Sequence, residues 1–266
     1  MIQKVDWNFR GQVKINWRSP QARSLVKLYR CTRESAGLEM VKGVADGVRA
    51  GGSAYSGSQY GNVLDTNDSG WMLIPTPLAN VAAFTIAMRL VKLKAGTHEH
   101  FGYWDGSWAG SNTKQLLIRN EAVQTFVRNA ANTAEANLSH SIGTNPGIWR
   151  DYVLTGDGSN LVIYMDTVAT APTSFSGAYF PDVDQPWGIG RARSGTDNDF
   201  KFFDVRFYDR AWSQTEVTNY SKRPWDLYMP LVERPTVIVP AAASFIPYPN
   251  PRYALHGGMQ SMQGGV

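Results

Sequence analysis

The sequence predicts an all-β protein: an antiparallel sandwich of the jelly-roll kind, with extended N- and C-terminal arms and one short helix near 213–222. Three observations carry that expectation. The 266 residues include Gly 25, Trp 9, Tyr 12 and Phe 11 with only 18% charged residues, a composition that favours strands and turns over exposed helices. Short segments with period-two or near-continuous apolar patterning recur through the middle of the chain, separated by turn residues. Only one stretch carries a complete helix-start signal. The length suits one large β-domain and does not force a second.

Met1 to Arg33 contains Gly11, Pro20 and scattered apolar residues, and residues 1–23 read as an arm. SLVKLYR (24–30) alternates and opens the body, assigned to 24–228. GVADGVRAGGSAYSGSQYGN (43–62) is rich in Gly and Ser and reads as loop. In AFTIAMRLVKL, Phe84, Ile86, Met88 and Leu90 recur at every second position and mark one buried strand face. KQLLIR (114–119), AVQTFVR (122–128), WRDYVLT (149–155), NLVIYMD (160–166) and KFFDVRFYD (201–209) follow as further strands. GDGSN (156–160) has hairpin-turn composition, so WRDYVLT and NLVIYMD are expected to pair antiparallel.

The helix signal lies in AWSQTEVTNYSKRPWDLYMP. Ser213 is the N-cap, Glu216 completes a capping box, and Trp212 and Val217 occupy the positions of a hydrophobic staple. Helix is expected from about Gln214, ending before Pro224, with Trp225 and Leu227 packing back on the body. Residues 229–266 form the second arm. RPTVIVP and FIPYPNPRY are Pro-punctuated and extended, and ALHGGMQSMQGGV adds methionines on a Gly-rich backbone, a segment that orders only against a partner.

Charge is uneven. Residues 1–33 hold eight Lys or Arg against one Asp, 34–220 hold fourteen against nineteen acids, and 221–266 hold four against two. Basic ends over an acidic middle can contact nucleic acid, but basic arms also dock on acidic protein neighbours. The aromatic and Arg repeat of RNA modules is absent, so protein docking is the preferred reading. A single cysteine, Cys31, excludes an intrachain disulfide, and the opening MIQKVDWNFRGQ lacks a signal-peptide apolar run; maturation in a reducing cytoplasm is expected. No run approaches the roughly 20 apolar residues needed to span a bilayer as a helix, and no membrane partner is expected.

The run FTIAMRL, WRDYVLTGDGSNLVIYMD, WGIGR and DVRFYDRAWSQTEVTNY resembles the laminin G-like, concanavalin A-type jelly-roll domains over about residues 60–228. Trp149, Asp157, Gly158, Tyr164, Asp166, Arg206, Tyr208, Arg210, Ser213 and Glu216 stand at the positions of that family's pattern, while Thr167 stands where the family usually has Gly. The opening INWRSPQARSLVKLY and the closing RPWDLYMP are similar to the version in structural proteins of tailed bacteriophages. That resemblance implies a non-enzymatic virion protein, made in the host cytoplasm and decorating or stabilising a capsid, as a homo-oligomer or bound in the assembly. Its arms would grip neighbouring virion proteins through Trp7, Phe9, Arg10, Trp17 and Arg18 at one end. Val237, Ile238, Phe245, Tyr248, Tyr253, Met259 and Met262 would do so at the other.

The same fold also carries lectins and glycoside hydrolases, so site residues must decide. HFGYWDGSWAGSN (100–112) sets Tyr103, Trp104 and Trp108 in a Gly-rich loop. Such aromatics stack on sugar rings, fill the sandwich end or form an interface, and the first option gives the alternative function, a lectin-like module for a host glycan. A retaining glycosidase needs two carboxylates about 5 Å apart, and no E-x-D-x-E run is present. The acids of PDVDQPW and TDNDF read as loop or solvated groups, so no catalytic residue is expected. His98 and His100 lack a nearby third ligand, and no cofactor is expected. Calcium, which laminin G-like folds sometimes bind, would take oxygens from Asp157, Asp197, Asn198 and Asp199.

Overall fold

A computed structural model describes residues 13–31, 40–41, 47–50, 53–66, 70–75, 77–95, 98–103, 116–120, 123–131, 135–140, 145–180, 187–190 and 199–230. By internal contacts the chain divides into Met1–Leu231 and Val232–Val266, and the second unit lies outside the described residues. In chain order the strands are β1 (Val13–Ile15), β2 (Leu25–Arg30), β3 (Val48–Ala50), β4 (Ala54–Ser58), β5 (Gly61–Asp65), β6 (Trp71–Ile74), β7 (Phe84–Lys92), β8 (His98–Tyr103) and β9 (Leu116–Asn120). They continue as β10 (Val123–Arg128), β11 (Glu135–His140), β12 (Trp149–Gly156), β13 (Asn160–Met165), β14 (Val168–Ala169), β15 (Thr173–Ser174), β16 (Trp187–Ile189), β17 (Phe200–Tyr208) and β18 (Tyr228–Pro230). One α-helix, α1, spans Gln214–Lys222.

Two antiparallel sheets make the sandwich. One runs β14-β13-β12-β7-β17-β5-β4, with β15 on β13 and β2 on β17; the other runs β11-β10-β9-β8-β16-β6-β3. Phe84, Ile86, Met88 and Leu90 of β7 enter the core between the sheets, as their spacing predicts. There they join Tyr152, Leu154, Ile163, Trp187 and Phe207, and Trp187 sits edge-on to Phe207 with centroids 6.0 Å apart. The β12–β13 hairpin forms with Tyr152 opposite Met165 and Gly156 opposite Leu161.

The opposite face of the larger sheet is also buried, which alternation alone does not predict: all nine residues of β7 are buried. A second cluster lies there, built from Ala87, Val153, Phe203, Trp212, Val217, Tyr220, Leu227 and Tyr228. A bulge between Phe202 and Asp204 inserts an extra residue in β17, and Phe203 joins this second cluster whereas Phe202 belongs to the inter-sheet core. The covering layer is α1 followed by the 3-10 turn Pro224–Leu227. Ser213 and Glu216 close the expected capping box, and Trp212 and Val217 are both buried beside it.

Charge is buried under this cover. The Arg206 guanidinium donates to Asp204 at 2.7 and 2.8 Å, to Gln21 Oε1 at 2.7 Å and to the Pro224 carbonyl at 2.7 Å, and Tyr228 donates to the same Asp204 oxygen at 2.6 Å. Burial opposes the Arg206 charge, but Asp204 together with Tyr228, Tyr220 and Tyr208 outweighs it and holds the guanidinium firmly protonated. Beside it, Arg89 grips Asp151 with two bonds of 2.6 and 2.7 Å. Removing one partner of such a buried pair costs about 3–5 kcal/mol, because the other charge is left uncompensated.

Two expectations are corrected. The arm assigned to residues 1–23 is, from Val13 on, part of the body: β1 pairs with β18, Ile15 and Ala22 are buried, and Gln21 bridges Arg206 and the Arg223 carbonyl. Residues 1–12 lie outside the described residues. The Gly- and Ser-rich stretch 43–62 contains β3 and β4, and β4 forms a hairpin with β5 from Ala54 opposite Asp65 to Ser58 opposite Gly61. Ladder bonds need only the backbone, so an edge hairpin forms without an apolar alternation.

Thr167, the departure from the family pattern, has φ +108°, next to Asp166 at +53°. A β-branched residue there is strained by about 1–3 kcal/mol. Its carbonyl, not its side chain, accepts from Gln214 Nε2. Thr167→Gly is therefore expected to raise stability by about 1 kcal/mol and the thermal midpoint by about 2–4 °C, read by circular dichroism; an unchanged or lower midpoint contradicts the strain.

Candidate functional site

The strand registers decide which loops share an end of the sandwich. Gly156 pairs with Phe84, Trp187 pairs with both Ile74 and Tyr103, and Val127 pairs with Leu116. The Asp157 turn, the Asn80–Ala83 approach to β7 and the Asn129–Ala131 turn after β10 therefore gather at one end. Tyr103 and Leu116, which bound the segment holding Trp104 and Trp108, lie there too. That segment and the Tyr103 side chain are outside the described residues.

A strap crosses this end. Phe175 N–H donates to Ser159 on one sheet, Ala130 N–H donates to Ala178 on the other, and Tyr179 exchanges two backbone bonds with Val81. The buried Tyr179 ring stacks on Phe175 with centroids 5.1 Å apart and meets Phe84 edge-on, while its hydroxyl accepts from Gly158 N–H and donates to the Asn160 carbonyl. The strap is thus fixed on both sides, and what it borders is preformed.

Beside it opens a cleft of about 430 Å³ lined by Asn80, Asn129, Ala130, Ala131, Gly177 and Ala178. Asn80 is exposed at φ +48°, a left-handed conformation that Asn tolerates better than other side chains. Gly177 at φ +98° occupies a region that only Gly enters freely. Among the described residues the lining offers carboxamide donors and acceptors on small apolar walls and no ionisable group. It can hold a neutral polar ligand by hydrogen bonds.

Asp157 is a turn residue. Its Oδ1 accepts from Ser159 N–H at 2.8 Å and Asn160 N–H at 2.7 Å. Slight burial raises its pKa, but these bonds outweigh it and hold the carboxylate below its usual range. Asp199 lies at the far end of β7, where Leu93 N–H donates to its carbonyl, about 25 Å away along the strand. It is fully buried, with Lys94 Nζ 3.1 Å from its carboxylate. One calcium ion cannot draw on both aspartates, which corrects that ligand set. Asp197 and Asn198 are outside the described residues. Among the described residues no group of three or more His, Cys, Asp or Glu is placed to hold a metal.

Of the arm residues, Trp17 and Arg18 are described. Trp17 is 58% exposed, and Arg18 lines a separate cleft of about 370 Å³ with Asn16, Ser19, Pro20, Trp225, Asp226 and Tyr228. Trp7, Phe9, Arg10, Val237, Ile238, Phe245, Tyr248, Tyr253, Met259 and Met262 lie outside the described residues, as do the side chains of His98 and His100.

Residues 65–218 match the Laminin_G_3 family, described as the Concanavalin A-like lectin/glucanases superfamily. The chain belongs to this superfamily. Among solved structures, this concanavalin A-like domain is similar to domain 4 of AbnA, a GH43 extracellular arabinanase from Geobacillus stearothermophilus in complex with arabinotriose. That likeness has a TM-score of 0.60 and 13% identity over 74% of this chain and 98% of that one. It is also similar to the binding domain of Paraclostridial Mosquitocidal Protein 1 (TM-score 0.57, 13% identity, 76% of this chain and 53% of that one). A third likeness is to Trypanosoma rangeli sialidase (0.53, 16%, 76% and 33%), so the chain spans about half of the second structure and a third of the third. At these identities the likeness is one of fold. No curated protein matches the chain significantly.

Sequence reasoning missed Asn80, Asn129 and the strap. Their one local signal is SFSGAY, a Ser- and Gly-rich run before an aromatic pair, and nothing local tells that it crosses between sheets. Asp157→Ala is expected to cost about 1 kcal/mol through the two lost turn bonds, equally with calcium and with chelator in thermal denaturation. A loss confined to the calcium sample overturns the turn-only role.

Proposed function

We propose that this concanavalin A-like domain is a non-catalytic glycan-recognition module carried on a bacteriophage particle and used in adsorption to a host surface. The observation that supports it is the cleft of about 430 Å³ at the sandwich end, with Asn80 and Asn129 carboxamides on small walls and no carboxylate among the described lining residues. Paired amide and hydroxyl groups bind sugar hydroxyls, and hydrolysis would need two facing carboxylates or an equivalent nucleophile. Trp104 and Trp108, whose segment starts and finishes at this end, are the stacking partners in this reading. A glycan array with the purified chain tests it. Asn80→Gly, which removes the carboxamide and keeps the left-handed backbone unstrained, is expected to weaken binding of the best array hit by about 3- to 10-fold, one net hydrogen bond, with the thermal midpoint unchanged. No binding to any glycan on the array rejects the reading.

A second reading, a capsid-decorating or tail structural protein docked through its arms, is favoured by one register. Val13 pairs with Pro230, so the chain enters and leaves the body side by side, near the exposed Trp17. Two arms leaving from one ribbon can share one docking patch. Deletion of residues 231–266 is expected to remove the protein from purified particles, measured as its ratio to the shell protein. Full copy number in the deletion overturns this reading.

A further inference from the structure

We infer that the sandwich end takes a neutral oligosaccharide of two or more linked sugars, in preference to a single sugar or a carboxylated, sialic acid-type glycan. The inference rests on the recognition reading above. A second open cleft, about 320 Å³, is lined by Gly158 and Ser159 and by Ser174, Phe175 and Ser176 of the same strap. The first cleft begins at the next two residues, Gly177 and Ala178. Residues 174–176 thus line the second cleft and 177–178 the first, and the five Cα atoms span at most about 14 Å. Two preformed clefts within that distance on one rigid strap make neighbouring subsites for a linear ligand.

The selectivity follows from the lining. Ser159, Ser174 and Ser176 are exposed and bring hydroxyls, and the first cleft brings carboxamides. Both group types donate and accept, matching sugar hydroxyls, which do the same. A carboxylate ligand is bound by Arg, Lys or converging N–H groups, and among the described residues neither cleft has an Arg or Lys in its lining.

Isothermal titration of the full chain tests this with arabinotriose, cellotriose and maltotriose against L-arabinose and D-glucose, and with lactose against 3′-sialyllactose. At least one neutral trisaccharide is expected to bind 10-fold or more tightly than its monosaccharide, and lactose at least as tightly as its sialylated form. Ser176→Leu, which fills the second cleft at an exposed position, is expected to reduce the trisaccharide-to-monosaccharide ratio at least 3-fold. Equal affinity for trisaccharide and monosaccharide, or tighter binding of sialyllactose, overturns the inference while leaving sugar recognition standing. Failure of every sugar to bind overturns the recognition reading and this inference with it.

Discussion

The Arg206 guanidinium on the outer face of the larger sheet is the interaction on which the rest of the architecture depends. A permanently charged group in the middle of a central strand can stay dry only if its donors are met, and here four hydrogen bonds reach it from three parts of the chain. Asp204 lies on its own strand, Gln21 on the N-terminal segment, and the Pro224 carbonyl and Tyr228 on the closing segment, the last through Asp204. Tyr220 of α1 adds its ring 4.7 Å from the guanidinium carbon. Each partner is thereby fixed in position, and so is the cover they form. The β1–β18 ribbon and the side-by-side exit of the two ends follow from that closure.

This arrangement explains where the aromatic residues went. Trp212, Trp225, Tyr220 and Tyr228 belong to the cover, and Trp187 belongs to the inter-sheet core. Tyr60 packs against Trp149, Phe203 and Trp225, and the Arg89 guanidinium lies over both Tyr60 and Trp225. The aromatic wealth that announced a β-protein is therefore mostly structural among the described residues. The clefts at the sandwich end are lined instead by Asn, Ser, Ala and Gly with one buried Phe, and they owe their form to backbone bonds along the strap.

What could be read from the sequence was whatever depends on near neighbours. The β7 core face rests on a two-residue period, the β12–β13 hairpin on a turn composition, and α1 on a four-residue box; each was legible in full. The integration of residues 13–23 was not, because its cause is a contact between Gln21 and Arg206, 185 residues apart. Nor was the β4–β5 hairpin, whose ladder needs backbone alone. The candidate site failed to show for the same reason as the N-terminal segment. Asn80, Asn129 and Gly177 are brought together only by strand registers, and none of the three has a local motif.

The rigidity of the strap bears on how strongly one such domain can hold a ligand. Its bonds to both sheets mean that little ordering is lost on binding, which favours affinity. The clefts are open and carry few polar groups, and the described lining offers no exposed aromatic face, which limits the gain per site. In the glycan-recognition reading, a shallow preformed site of this kind would bind weakly and act through many copies together. Linked copies convert later contacts into intramolecular ones and raise avidity by about 10²- to 10⁴-fold without any new contact. The glycan-recognition and particle-bound readings therefore support each other: arms that fix the domain in a repeated array would supply the multiplicity that a single weak cleft requires.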